Sequence, residues 1–199
     1  MKRIIKKYSM NEKFMIRFIS LLTVGIILFT LVWFLSFYFL PDGFLKGKAV
    51  SSRIVGTEAS NTLLAEWGKI VGYNLGAVCL LVLVNLILWF DLFPLGYVTV
   101  FGNLTLYSIF MGTNSFAISM PERMAPSFAI FARSGPYEMI GFLLVAAATY
   151  NQSRFALAKN SYRITSVPRL SLEQWIGLGF GVAIILLAAW REAIMIMVS

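Results

Sequence analysis

The sequence has no histidine and a single cysteine, Cys79. Without imidazole there is no Ser-His or Cys-His nucleophile pair, no His-ligated zinc or haem, and no imidazole proton shuttle. One thiol forms neither an intramolecular disulfide nor a cysteine metal cluster, so Cys79, set among Leu and Val, reads as packing. Charge is scarce too, at 13% of 199 residues, where a soluble domain carries about 25%. What fills the chain instead is 59% hydrophobic, with a mean hydropathy of +0.79. Those figures exclude an ordinary soluble domain, and no catalytic residue, metal or cofactor is expected. The charges that remain are unbalanced, 17 Lys and Arg against 9 Asp and Glu. In a chain this apolar, the excess points to a membrane surface and not to nucleic acid.

Apolar periodicity and length place about five transmembrane helices in a single all-α membrane domain spanning residues 1–199, at about 19–40, 70–90, 96–116, 136–152 and 175–198. Residues 1–18 form a basic tail, with Lys2, Arg3, Lys6, Lys7, Lys13 and Arg17. No small-x-small cleavage site follows the first apolar run, so it is expected as an uncleaved helix. The polar stretch 41–69 has room for a short surface helix near 62–67. Residues 91–95 are so few that the second and third spans must form an antiparallel hairpin. Between 117 and 134, Pro121, Glu122, Arg123, Pro126 and Arg133 interrupt the apolar residues too often for a crossing. That segment is expected to lie at the interface or re-enter. The fourth span opens at Pro136 and its end is expected to run on as helix into NQSRFALAK. Ser171 is a candidate N-cap for the last span.

The tail and the connection through Arg154, Lys159, Arg163 and Arg169 together hold ten Lys and Arg. The two other loop regions hold six. The positive-inside rule then predicts a cytoplasmic N-terminus and an external C-terminus in the cell membrane.

Ionisable residues in spans cost roughly 2.5–3.5 kcal/mol at a helix centre, which makes Glu138, Arg191 and Glu192 candidate site residues. Glu138 also fits a purely structural role, as the third helical residue after Gly135, where a carboxylate meets free backbone amides. Steps of four, eleven and fifteen residues back from Glu192 reach Ala188, Gly181 and Gly177, a small-residue stripe suited to close helix packing. Glu138 shares a face with Gly141, Ala148 and Gln152 in the same way. Under the predicted topology both carboxyls fall in the outer third of the bilayer, with Asn74 and Asn114 at similar depth. A polar layer is therefore expected, in which Arg191 pairs with a carboxylate and the amides bond between helices. The alternative is an ion, proton or lipid path through the same residues. Asn85, Asn103, Thr105 and Ser108 read as modest interhelical bonds.

Two segments carry a family resemblance. GPYEMIGFLLVAAATYNQSRF resembles the fourth-helix motif of the stage II sporulation protein M family, a His-Gly-x-x-Glu start followed by a small-residue run. LLAAWREAIMI resembles that family's last-helix ending, with its Glu-Ala pair. Glu138 and Glu192 stand at the two acidic positions, while Ser134 or Gly135 stands where the family has its His. The resemblance implies a five-helix, non-enzymatic membrane protein, a scaffold or membrane-embedded subunit of a larger complex. Its partners would be membrane lipids and either other membrane subunits or further copies of itself. A transporter or channel subunit with an intramembrane carboxylate site is the alternative.

Overall fold

The computed structural model describes residues 8–48, 60–90, 94–116, 122–131, 135–158, 161–164 and 166–198. Its helices are α1 (Phe14–Phe39), α2 (Leu63–Ile87), α3 (Leu95–Thr113), the single turn α4 (Phe128–Phe131), α5 (Gly135–Ala148) and α6 (Leu172–Val198). Among the described residues, α1, α2, α3 and α6 are long and apolar enough to cross a membrane. Each buries only a narrow stripe. On α1 it is Phe14, Arg17, Leu21, Gly25, Phe29, Trp33 and Ser36, and on α2 Glu66, Ile70, Asn74, Val78, Leu81 and Asn85. The steps of three and four residues keep each stripe on one helix face. The opposite faces stay apolar and exposed, with Ile27, Leu31, Leu83, Phe180 and Leu187 all more than half accessible. Water would penalise that surface, whereas hydrocarbon accepts it. The body of the chain is a helical bundle of the membrane type.

The fourth span departs from its expected range. At 14 residues, α5 is ~21 Å long, short of a roughly 30 Å hydrocarbon core. It packs against α1, α2, α3 and α6, and Leu143 through Thr149 are buried. A helix wrapped in protein need not match the bilayer, because its end groups can be satisfied by neighbouring side chains. The small-residue stripes make this wrapping close. A Cβ on Gly141 would come within 2.8 Å of the Gly181 carbonyl oxygen, and one on Gly181 within 2.9 Å of the Gly141 oxygen. Gly177 lies against the Phe14 ring, Ala148 and Ala188 are buried, and α1 meets α3 at Gly112, beside the Trp33 carbonyl.

Residues 149–158 differ from the expected helical continuation. The chain turns at Thr149 to Asn151, and Gln152 N–H donates to the Thr149 carbonyl at 3.2 Å. Strands β1 (Leu88–Phe90), β2 (Phe155–Ala158) and β3 (Ser161–Ile164) then form a small sheet in that order, β1 parallel to β2 and β2 antiparallel to β3. The backbone of Leu88–Phe90 leaves α2 extended and offers an edge, so the returning segment pairs with it. The surface helix expected near 62–67 is instead the first turn of α2, where Ala65 N–H donates to Thr62 Oγ1 at 3.3 Å. Among the described residues after α3, Met124, Ile130 and Phe131 pack onto Phe29, Trp33 and Met111; residues 117–121 and 132–134 of that segment lie outside the described residues.

Gly141→Leu should fail at the α5–α6 crossing, because the clash is with backbone. We expect about 1–3 kcal/mol of destabilisation or more, read as a lower thermal midpoint in mild detergent. Gly76→Leu, where an added Cβ meets nothing within 4 Å, should leave the midpoint unchanged.

Candidate functional site

Helix ends organise the polar residues of the bundle into two groups. At one end α5 terminates inside protein, so its last carbonyls need donors. Arg17 supplies one: it is fully buried, and its Nε donates to the Ala147 carbonyl at 2.8 Å. Its guanidinium also bonds the Asn11 carbonyl and stacks 3.6 Å over the Tyr150 ring. A cation at a helix C-terminus is further favoured by the helix dipole. Gln174 Nε2 donates to the Ala148 carbonyl at 2.7 Å and to Asn151 Oδ1 at 3.0 Å. Gln174 also completes a capping box with Ser171 at the start of α6: Ser171 N–H donates to Gln174 Oε1 at 3.0 Å, and Gln174 N–H to Ser171 Oγ at 3.3 Å. Asn85 ties in the α2–α3 hairpin, accepting from Gly96 N–H at 2.8 Å and donating to Thr149 Oγ1 at 2.8 Å.

At the other end Arg123 plays the matching part. Its guanidinium donates to the carbonyls of Ser36, Phe37 and Leu40 at the end of α1 and of Gly112 at the end of α3, at 2.7 to 3.2 Å. Asn114, expected in the polar layer, closes α3 in the left-handed conformation with φ 50°.

The carboxyl cluster lies at this second end, between α2, α5 and α6. Glu138 Oε1 accepts from Asn74 Nδ2 at 2.6 Å, and the Glu192 side chain lies against Glu138. Glu66, two helical turns before Asn74 on the same stripe, is fully buried and sits within electrostatic reach of Glu192. Its Oε2 accepts from Ser60 N–H at 2.7 Å and from Lys69 Nζ at 2.8 Å. Its Oε1 is buried without a partner among the described residues.

The structure thus brings together Asn74, Glu138 and Glu192. Arg191, expected to share their layer, lies on the exposed side of α6, with its guanidinium 5.2 Å from the centroid of the Tyr137 ring. A side chain one position from Glu192 is turned about 100° away from it on the helix. Among the described residues Lys69 pairs with Glu66, a residue that the sequence reading leaves in the polar stretch 41–69. The four-residue steps from Glu66 to Ile70 to Asn74 would have revealed it. Arg17 was missed as a site for a similar reason, though it lies on the stripe of Leu21 and Gly25. Among the described residues no group of three or more acidic or cysteine side chains is placed to hold a metal ion.

Against protein-family models, curated proteins and solved structures, the chain matches none.

Glu192→Gln keeps a polar side chain beside Glu138 and should leave thermal stability close to wild type. Glu192→Leu sets an apolar group against the Glu138 carboxyl and should cost about 1–3 kcal/mol. Equal midpoints for wild type and both variants would show that the contact contributes nothing.

Proposed function

We propose that the protein is a non-enzymatic integral membrane protein of the cell membrane, a scaffold or membrane-embedded subunit of a larger complex, similar to the stage II sporulation protein M family. The observation that carries the reading is the meeting of Glu138 and Glu192. These are the two acidic positions on which the resemblance rests, they come from motifs far apart in the chain, and they are direct partners across α5 and α6. Most other buried polar groups serve the bundle itself, holding helix ends and pairing helices. Such a body suits a protein that presents apolar faces to lipid and to other membrane chains.

A transporter or channel subunit is the second reading, favoured by the unpartnered Glu66 Oε1 near Glu192. Glu192→Gln separates the two. If the protein transports, purified folded variant in liposomes should show altered proton or cation flux; if it scaffolds, flux should be absent from both forms.

Orientation is proposed with the N-terminus cytoplasmic and the C-terminus external. Arg17 at the start of α1 and Gln174 at the start of α6 both bond the end of α5, so these three helix ends lie on one face. The sequence regions that adjoin them carry ten of the Lys and Arg, which favours the cytoplasm for that face.

Extraction in mild detergent followed by affinity capture should recover the chain with stoichiometric membrane partners or as a homo-oligomer. A lone monomer under several gentle conditions would refute the scaffold reading. In a Cys79→Ser background, Ser52→Cys should react with an impermeant thiol reagent on intact cells while Ser161→Cys stays protected; the reverse pattern would invert the topology.

A further inference from the structure

The small sheet at the end of α2 sorts its residues by register. Leu88 pairs with Phe155, and Phe155 with Ile164, so apolar residues from all its strands form one cross-strand row. Residues two apart on a strand share a face, which adds the row Phe90, Leu157 and Tyr162 to the same side. The opposite side takes the row Trp89, Ala156 and Arg163, together with the exposed Arg154 that precedes Phe155. Both arginines therefore fall on one face, and the other is apolar. That apolar face is not buried in the bundle: Phe155 is 38% exposed and Ile164 77%.

The position of the sheet says what covers it. The exposed apolar stripe of α2 ends in Leu80, Leu83 and Ile87, part of the surface that hydrocarbon accepts, and Leu88 is the next residue. Strand β2 is tied to the same helix end, where Arg154 N–H donates to the Leu86 carbonyl at 2.8 Å and Ser153 Oγ to the Asn85 carbonyl at 2.5 Å. Neighbouring strands lie about 4.8 Å apart, which puts Ile164 ~10 Å from Leu88. The exposed row thus continues the lipid-facing surface of α2 at the level where that helix ends. Trp and Tyr are favoured at this depth of a bilayer, and the strands contribute Trp89 and Tyr162. Arginine on the far face suits phosphate.

We propose that the sheet lies in the interfacial layer of the bilayer, with the Leu88–Phe155–Ile164 row on the acyl side and Arg154 and Arg163 on the phosphate side. The occupant of the apolar face is phospholipid, and β2 and β3 are a membrane-surface anchor instead of a loop in water. The inference rests on the chain spanning a membrane and holds whether the protein scaffolds or transports.

The full chain in phosphatidylcholine vesicles tests it, in a Cys79→Ser background with an environment-sensitive fluorophore on Ile164→Cys, Phe155→Cys or Arg154→Cys in turn. Labels at Ile164 and Phe155 should emit to the blue, lose intensity to a nitroxide carried high on a lipid acyl chain, and resist iodide present on both sides of the membrane. The label at Arg154 should be quenched by iodide and spared by the acyl nitroxide. Equal iodide quenching at all three positions would overturn the proposal by leaving the sheet in water. Protection of Ile164 from both quenchers would overturn it too, since the face would then be covered by protein. If Phe155→Cys does not fold, the contrast between the exposed positions 154 and 164 decides alone.

Discussion

A helix that ends inside protein within a membrane must have its free carbonyls satisfied, and α5 is such a helix. Its length of 14 residues cannot carry its ends to water, and an unsatisfied backbone group in hydrocarbon costs several kcal/mol. Arg17 from α1 and Gln174 from α6 meet that demand at Ala147 and Ala148. Those bonds fix where α1 and α6 begin relative to the end of α5. The burial of an arginine, unfavourable alone, is offset by its carbonyl acceptors and by the Tyr150 ring. Arg123 repeats the arrangement at the opposite end, holding the termini of α1 and α3 together.

With the ends held, the faces can approach closely. Packing in lipid gains little from burying apolar groups, since hydrocarbon is as apolar as leucine, so contact area and close approach decide it. Gly141 against Gly181, and Gly112 against α1, bring backbones to distances that a side chain would forbid. The same approach lets short carboxyl side chains on α5 and α6 meet. Glu138 and Glu192 meet because the helices carrying them touch at Gly141 and Gly181.

The carboxyl cluster is unlike the other polar groups in one respect. Arg17, Arg123, Asn85 and Gln174 each satisfy a backbone group, whereas Glu138 accepts from the Asn74 side chain, with Glu192 beside it. They hold α2, α5 and α6 in register at the end away from the basic tail. Glu66, with one oxygen unpartnered, makes this the least satisfied region among the described residues, and a partner or a permeating ion would act most strongly there.

Much of the architecture was legible in the chain itself. Apolar run lengths determined the four long helices, since only continuous hydrophobicity survives transfer to lipid. Small-residue spacing determined which faces of α5 and α6 meet, and it turned Glu138 and Glu192 toward each other, because a helix face follows from step size alone. Three features came only from the tertiary structure. The length of α5 depended on Arg17 and Gln174 replacing water at its end. Arg17, read as a tail charge, became a buried cap, and Arg191, read as a buried partner, turned outward. Charge content is local information, but whether a charge is buried depends on which distant carbonyl or ring reaches it.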